Sequence, residues 1–145
     1  MNNMNIFLAA PMSSLESEAE YTTFRNSILS FSSFLRSKGF TVFSEIEAIS
    51  SQSSYDSPAD SARKDFDAIK KSDIFILVHQ KKVQTSALME LGYALALGKT
   101  IVIIYKENTL PYLALGLPEM ASNVSLIKLN EWNEKLFSNV ADLLS

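Results

Sequence analysis

Residues 73–105, DIFILVHQKKVQTSALMELGYALALGKTIVIIY, decide the fold. They open with Asp73–His79, an uninterrupted apolar run of strand length. They close with Thr100–Tyr105, a second such run rich in β-branched side chains. Between them Thr85–Gly98 reads as a helix, with Thr85 or Ser86 at its N-cap. A strand apolar on both faces needs cover on both faces, and strands alternating with helices supply it through parallel crossovers.

The same alternation continues on either side. Met4–Ala10 (MNIFLAA) is a short apolar strand that stops at Pro11. Glu16–Lys38 follows with helical spacing, since Tyr21, Phe24, Ile28, Phe31, Phe34 and Leu35 recur three or four apart, and Gly39 ends it. Phe40–Ile46 reads as the second strand. Ser57-Pro58-Ala59-Asp60 is a helix start, with a serine cap, proline at the first position and an acid at the third; that helix runs to about Lys71. Downstream, Leu110–Ala121 is a proline-bounded segment with one short helix, Val124–Leu129 a fifth strand and Glu131–Leu144 a closing amphipathic helix. The expectation is one domain over residues 1–145, α/β in class, a flavodoxin-like doubly wound sheet of five parallel strands with helices on both faces. Ligands of such sheets sit at the carboxyl ends of the strands, at the topological switch point. That rule singles out the loops Ala9–Ser14, Glu45–Ser57 and His79–Ser86, with serine-rich Ser50–Ser57 as a candidate lid.

Composition narrows the chemistry. The 145 residues are 47% hydrophobic and 20% charged, ordinary for a globular domain, and the formal charge of −3 argues against gripping nucleic acid through its phosphates. There is no cysteine and one histidine, which excludes disulfides, thiol nucleophiles, and Cys- or His-rich metal sites. No cofactor is called for by any motif, since neither a P-loop nor a GxGxxG is present. The longest apolar runs fall far below the roughly 20 residues a bilayer requires, and the N-terminus lacks a secretory signal, so a cytoplasmic protein is the default. Carboxylates, hydroxyls and backbone dipoles remain.

Glu90 is the first candidate, because it is the one charged residue between Lys82 and Lys99, inside a helix hydrophobic nearly all round. Burying one carboxylate there costs several kcal/mol unless something receives it. It answers the positive end of the helix dipole, worth about 0.3–1 kcal/mol, or it serves as a nucleophile at an anomeric carbon. Gly92 beside it reads first as plain helix–sheet packing, and otherwise as room for close approach of a strand, helix or ligand. A second carboxylate is needed to protonate a leaving base, and Asp65, in the first half of the preceding helix, is better placed than Asp67. Asp60 and Asp73 read as structural. His79, Gln84, Thr85 and Ser86 offer polar groups at a helix N-terminus, where anions or sugars bind, although capping alone equally explains the two hydroxyls.

These residues resemble a known family. Ile6-Phe7-Leu8-Ala9-Ala10-Pro11, Asp65-Phe66-Asp67-Ala68-Ile69-Lys70-Lys71-Ser72-Asp73 and Met89-Glu90-Leu91-Gly92-Tyr93-Ala94, followed by Gly98-Lys99, look like the nucleoside 2-deoxyribosyltransferases over roughly residues 4–105. The resemblance implies a flavodoxin-like fold, N-glycosidic chemistry, a nucleophile at Glu90 and an acid at Asp65. Phe7, by its place in that pattern, and Ala9, Ala10, Pro11 and Met12, in the loop at the ligand edge, are further candidate substrate contacts. The chain departs from the pattern at three points. Phe7 stands where the transferases often carry tyrosine, Ala10-Pro11 replaces a glycine-containing exit, and Gln84 replaces an acid or serine six residues before the nucleophile. The asparagine that a partner subunit supplies in those transferases has no clear match near Pro111. A more distant resemblance, through Thr85-Ser86 ahead of Glu90, runs to TIR domains that cleave NAD.

Three readings follow. The first is an enzyme that hydrolyses or transfers at the N-glycosidic bond of a nucleoside or nucleotide. The others are a TIR-like NAD hydrolase or cyclase and a non-catalytic nucleotide-binding module. A homo-oligomer is expected from the apolar stretch Leu110–Leu117, which alternatively covers the sheet edge.

Overall fold

The structure, a computed structural model, describes residues 3–12, 15–49, 56–82 and 85–145. Its five strands are β1 (Asn5–Ala9), β2 (Thr41–Phe43), β3 (Ile74–His79), β4 (Thr100–Tyr105) and β5 (Val124–Lys128). All pair in parallel in the order β2-β1-β3-β4-β5, the flavodoxin-like arrangement, with the switch point between β1 and β3. The helices are α1 (Glu18–Ser37), α2 (Glu45–Ala48), α3 (Pro58–Lys71), α4 (Ser86–Ala96), α5 (Leu117–Met120) and α6 (Glu134–Leu144).

Strand alternation sorts the side chains into two cores. Ile6, Leu8, Ile74, Ile76, Val78, Val102 and Ile104 face α1 and α6; Phe7, Ala9, Phe75, Leu77, Ile101 and Ile103 face α3 and α4. On the first face Phe31 packs against Trp132 and Phe137, with ring centroids 6.0 and 5.2 Å away. On the second, Phe43, Phe7 and Phe75 form a row of stacked rings across three adjacent strands, 5.2 and 5.6 Å apart.

Helix ends follow the local chemistry. Ser17 and Ser57 cap α1 and α3 by accepting from the backbone N–H groups of Glu20 and Asp60. After α1, Gly39 takes φ +95°, and after α4, Gly98 takes φ +71°, left-handed positions that glycine adopts at little cost. Asp73, before β3, accepts the backbone N–H of Asn5 at 2.9 Å, a structural task at the edge away from the loops singled out above.

Three expectations need correcting. β2 does not run to Ile46: it stops at Phe43, and Glu45–Ala48 turns into α2. Helix α4 is not buried all round: Ala87, Glu90, Leu91 and Ala94 face the sheet, while Met89 on the opposite side is 68% exposed. Gly92 is needed neither for packing nor for ligand approach, since it is exposed and a Cβ there would meet nothing within 4 Å. In the Leu110–Ala121 segment, a 3-10 turn at Tyr112–Gly116 precedes α5; Leu110 and Ala114 are buried, whereas Tyr112 and Leu113 are 90% and 82% exposed. Among the described residues no helix is long and apolar enough to cross a membrane.

Phe31, fully buried and remote from the switch point, isolates the packing contribution. Phe31→Ala should lower unfolding stability by about 3–5 kcal/mol in urea titrations with an unchanged m-value.

Candidate active site

At the carboxyl edge of the sheet, beside the switch point, lies a cavity of about 210 Å³. Strand β1 and its exit contribute Phe7, Ala9, Ala10, Pro11 and Met12 to its wall. The start of α4 contributes Ser86 and Glu90, with Thr85 at the N-cap; α3 contributes Ser61 and Asp65; α2 contributes Glu45.

Local periodicity explains each carboxylate. Glu90 is the fifth residue of α4 and lies in the Ala87–Leu91–Ala94 stripe, so it faces the sheet and is only 8% exposed. Asp65 sits four residues before buried Ile69 and four after Ser61. The edge-on contact of Phe66 with Tyr93, centroids 5.1 Å apart, holds α3 against α4 and brings the two acids to one cavity. In α2, Ile46 enters the core under α1, and its neighbour Glu45 reaches the cavity wall.

The Asp65 carboxyl is within hydrogen-bonding reach of both Glu45 and Glu90. Among the described residues no amide, hydroxyl or ammonium donor serves its buried Oδ1. Three carboxyl groups in a row cannot all ionise, because withdrawal from water and mutual repulsion both favour the neutral form. Burial first, and Asp65 second, push Glu45 up to about 8; burial, and then Glu90, push Asp65 up to about 7 against the opposing hydrogen bond with Glu45. Burial also raises Glu90 to about 7, opposed by the hydrogen bond with Asp65. The influence differs along the row: hydrogen bonding with Glu45 lowers Asp65, and hydrogen bonding with Asp65 lowers Glu90. The three groups therefore titrate as one cluster that holds protons above the usual carboxylate range.

Not every residue singled out in the sequence lies here. His79 is fully buried and does not line the cavity; its backbone carbonyl accepts from the Lys106 N–H and the Thr109 hydroxyl, anchoring the loop after β4. Its reading as a substrate ligand is corrected accordingly, because the last residue of a central strand is covered from both sides. Gln84 and residues 50–55 of the expected lid lie outside the described residues. Thr85 occupies the N-cap position, yet its side chain makes no cap bond and its buried hydroxyl has no partner among the described residues. Asp67 is paired with Lys71 at 2.8 Å on the solvent side, and Asp60 with Arg63 at 3.1 Å. Glu45 was missed because the second strand was read through it. The signal was Ser44-Glu45-Ile46-Glu47, a hydroxyl followed by acids, which is how helices begin.

A doubly wound parallel sheet with paired carboxyl groups at its switch point defines a class of carboxylate-based α/β enzyme folds. The model of the nucleoside 2-deoxyribosyltransferase family matches residues 6–140, and the chain belongs to that family. Among solved structures it is similar to the CMP N-glycosidase BcmB of Clostridium botulinum, at 27% identity and a TM-score of 0.73, covering 94% of this chain and 98% of that one. It also shares its fold with a 2-deoxyribosyltransferase of Bacillus psychrosaccharolyticus (21% identity, TM-score 0.63, 96% and 95% covered). A third similar structure is the 2-deoxyribosyltransferase of Leishmania mexicana (22% identity, TM-score 0.51, 84% and 77% covered). No curated protein sequence matches the chain.

The carboxyl cluster has a consequence for stability. Each member holds its proton to higher pH when folded than when unfolded, so the folded state binds more protons between roughly pH 4.5 and 8. Stability is then present below the unfolded pKa and declines as pH rises through the folded values. The melting temperature should fall between pH 5 and 8, and Asp65→Asn should flatten that decline in calorimetric scans.

Proposed function

We propose that this protein cleaves the N-glycosidic bond of a nucleoside or nucleoside monophosphate, with Glu90 as nucleophile and Asp65 as general acid. The observation that carries this reading is the meeting of the Glu90 and Asp65 carboxyl groups on the wall of one switch-point cavity. Family membership and the similarity to a CMP N-glycosidase support the bond type, and CMP is the first substrate to test.

In the reaction, a Glu90 oxygen forms a bond to C1′ while the C1′–N bond breaks and its electron pair stays on the base. Asp65 gives its proton to that base. Water then attacks C1′, the bond to Glu90 breaks, and the water's proton returns to Asp65. A second base in place of water makes the reaction a transfer. The free N–H groups at the start of α4, with Ser86 and Thr85, suit sugar hydroxyls or a phosphate. Phe7 and the row of rings behind it offer an apolar wall.

Purified protein incubated with deoxynucleosides, nucleoside monophosphates and NAD, read by chromatography, should release free nucleobase. Nicotinamide from NAD would redirect the reading to the TIR-like alternative, and silence across the panel to a binding module. Glu90→Gln should abolish turnover with the fold intact; near-wild-type turnover would remove the nucleophile assignment. Asp65→Asn should cost about 10²–10⁴-fold in kcat. The wild type should lose activity as pH rises through about 7 and Asp65 gives up its proton, and Asp65→Asn should lack that loss.

A further inference from the structure

Glu45 stands outside the chemistry described so far, yet it lines the same cavity as Asp65 and is within hydrogen-bonding reach of it. Its placement is built rather than incidental. Helix α2 has only four residues, too few to hold itself, and two arginines of α1 fasten it. Arg25 donates to the carbonyl oxygens of Ile46 (3.0 Å) and Glu47 (2.6 Å). Arg36 donates to the end of β2 at the Val42 carbonyl (2.9 Å) and forms a two-pronged ion pair with the Glu47 carboxylate (2.8 and 3.0 Å). The two acids of α2 therefore part company: Glu47 takes the arginine, and Glu45 is left at the cavity, where its carboxyl meets Asp65.

We propose that Glu45 is a positioning residue for proton donation: its carboxyl O–H, donated to Asp65, stabilises the Asp65 carboxylate that remains once the leaving base has taken the proton. This rests on the reading of Asp65 as the acid. Without Glu45, Asp65 faces the negative charge of Glu90 with only Lys64, itself paired with Asp56, to offset its own charge, and releases its proton less readily. The other groups around Glu45 do not replace it. Lys64 of α3 and Asp56 ahead of α3 act on it with opposite signs, and Lys64 is already paired with Asp56 at 3.5 Å. Glu90 of α4 is an acceptor. The arginines of α1 are engaged with Val42, Ile46 and Glu47, and the adjacent strands present phenylalanine.

The test uses the whole chain as wild type, Glu45→Gln and Glu45→Leu. Carbon-detected NMR of side-chain carboxyls, run without substrate, follows the Asp65 titration. In Glu45→Leu that titration should move up by about 0.5–1 pH unit, the equivalent of one hydrogen bond. Glu45→Gln, whose amide still donates, should bring it back to within about 0.3 unit of wild type. With the substrate the panel identifies, Glu45→Leu should lower kcat about 3–10-fold, the rate counterpart of that shift, at a KM within about 2-fold. Glu45→Gln should recover most of the loss. An Asp65 titration unmoved in Glu45→Leu overturns the proposal, as does a glutamine variant displaced as far as the leucine one. A rise in KM with kcat unchanged also overturns it, by making Glu45 a substrate contact instead. Because the NMR arm needs no turnover, a protein silent on every substrate defeats the functional reading, whereas a stationary Asp65 defeats this one.

Discussion

Parallel pairing of β1 with both β2 and β3 is the constraint on which the rest of the molecule depends. From β1 the chain crosses through α1 on one face of the sheet, and from β3 it crosses through α4 on the other. The connections leaving the carboxyl ends of these neighbouring strands must diverge, and the crevice between them stays open. The two acids proposed for catalysis enter that crevice from helices that cover the same face, α3 and α4. The third enters from the short helix that follows β2.

Burying three carboxyl groups together is unfavourable, and the cost explains their chemistry. Withdrawn from water, with Lys64 only partly offsetting the burial, they keep protons that solvent-exposed acids would lose, which suits the acid and nucleophile roles proposed for two of them. A glycosidic bond requires little else, because its transition state gathers positive charge at the sugar and negative charge at the base. The composition agrees with that economy. There is no cysteine, and the lone histidine is enclosed in the core. The arginines that might have neutralised the cluster are spent on the backbone and on Glu47, one residue beyond Ile46.

Much of this was legible in the sequence, because the energies involved are local. Alternation and three-to-four spacing decide which face of an element is apolar, so the strands, the long helices and the buried stripe carrying Glu90 follow from the residues themselves. Caps such as Ser57-Pro58 and the glycines at positions 39 and 98 depend on one or two dihedral angles and on a bond three residues away. The resemblance to the deoxyribosyltransferases rested on those same segments, and family membership bears it out.

What the sequence by itself determined, then, is the order of the strands and long helices, the parallel doubly wound architecture and the isolation of Glu90 in an apolar helix. Tertiary structure alone decided which acids meet. Glu45 and Asp65 are twenty residues apart and come together only because α1 clamps α2 at the sheet edge while Phe66 and Tyr93 lock α3 to α4. Tertiary structure also turned Met89 outward and enclosed His79, since exposure depends on which neighbours arrive and not on the residue's own character. Periodicity reports a residue's face; proton sharing between carboxyls requires contact across elements distant in the chain, and no local pattern encodes that.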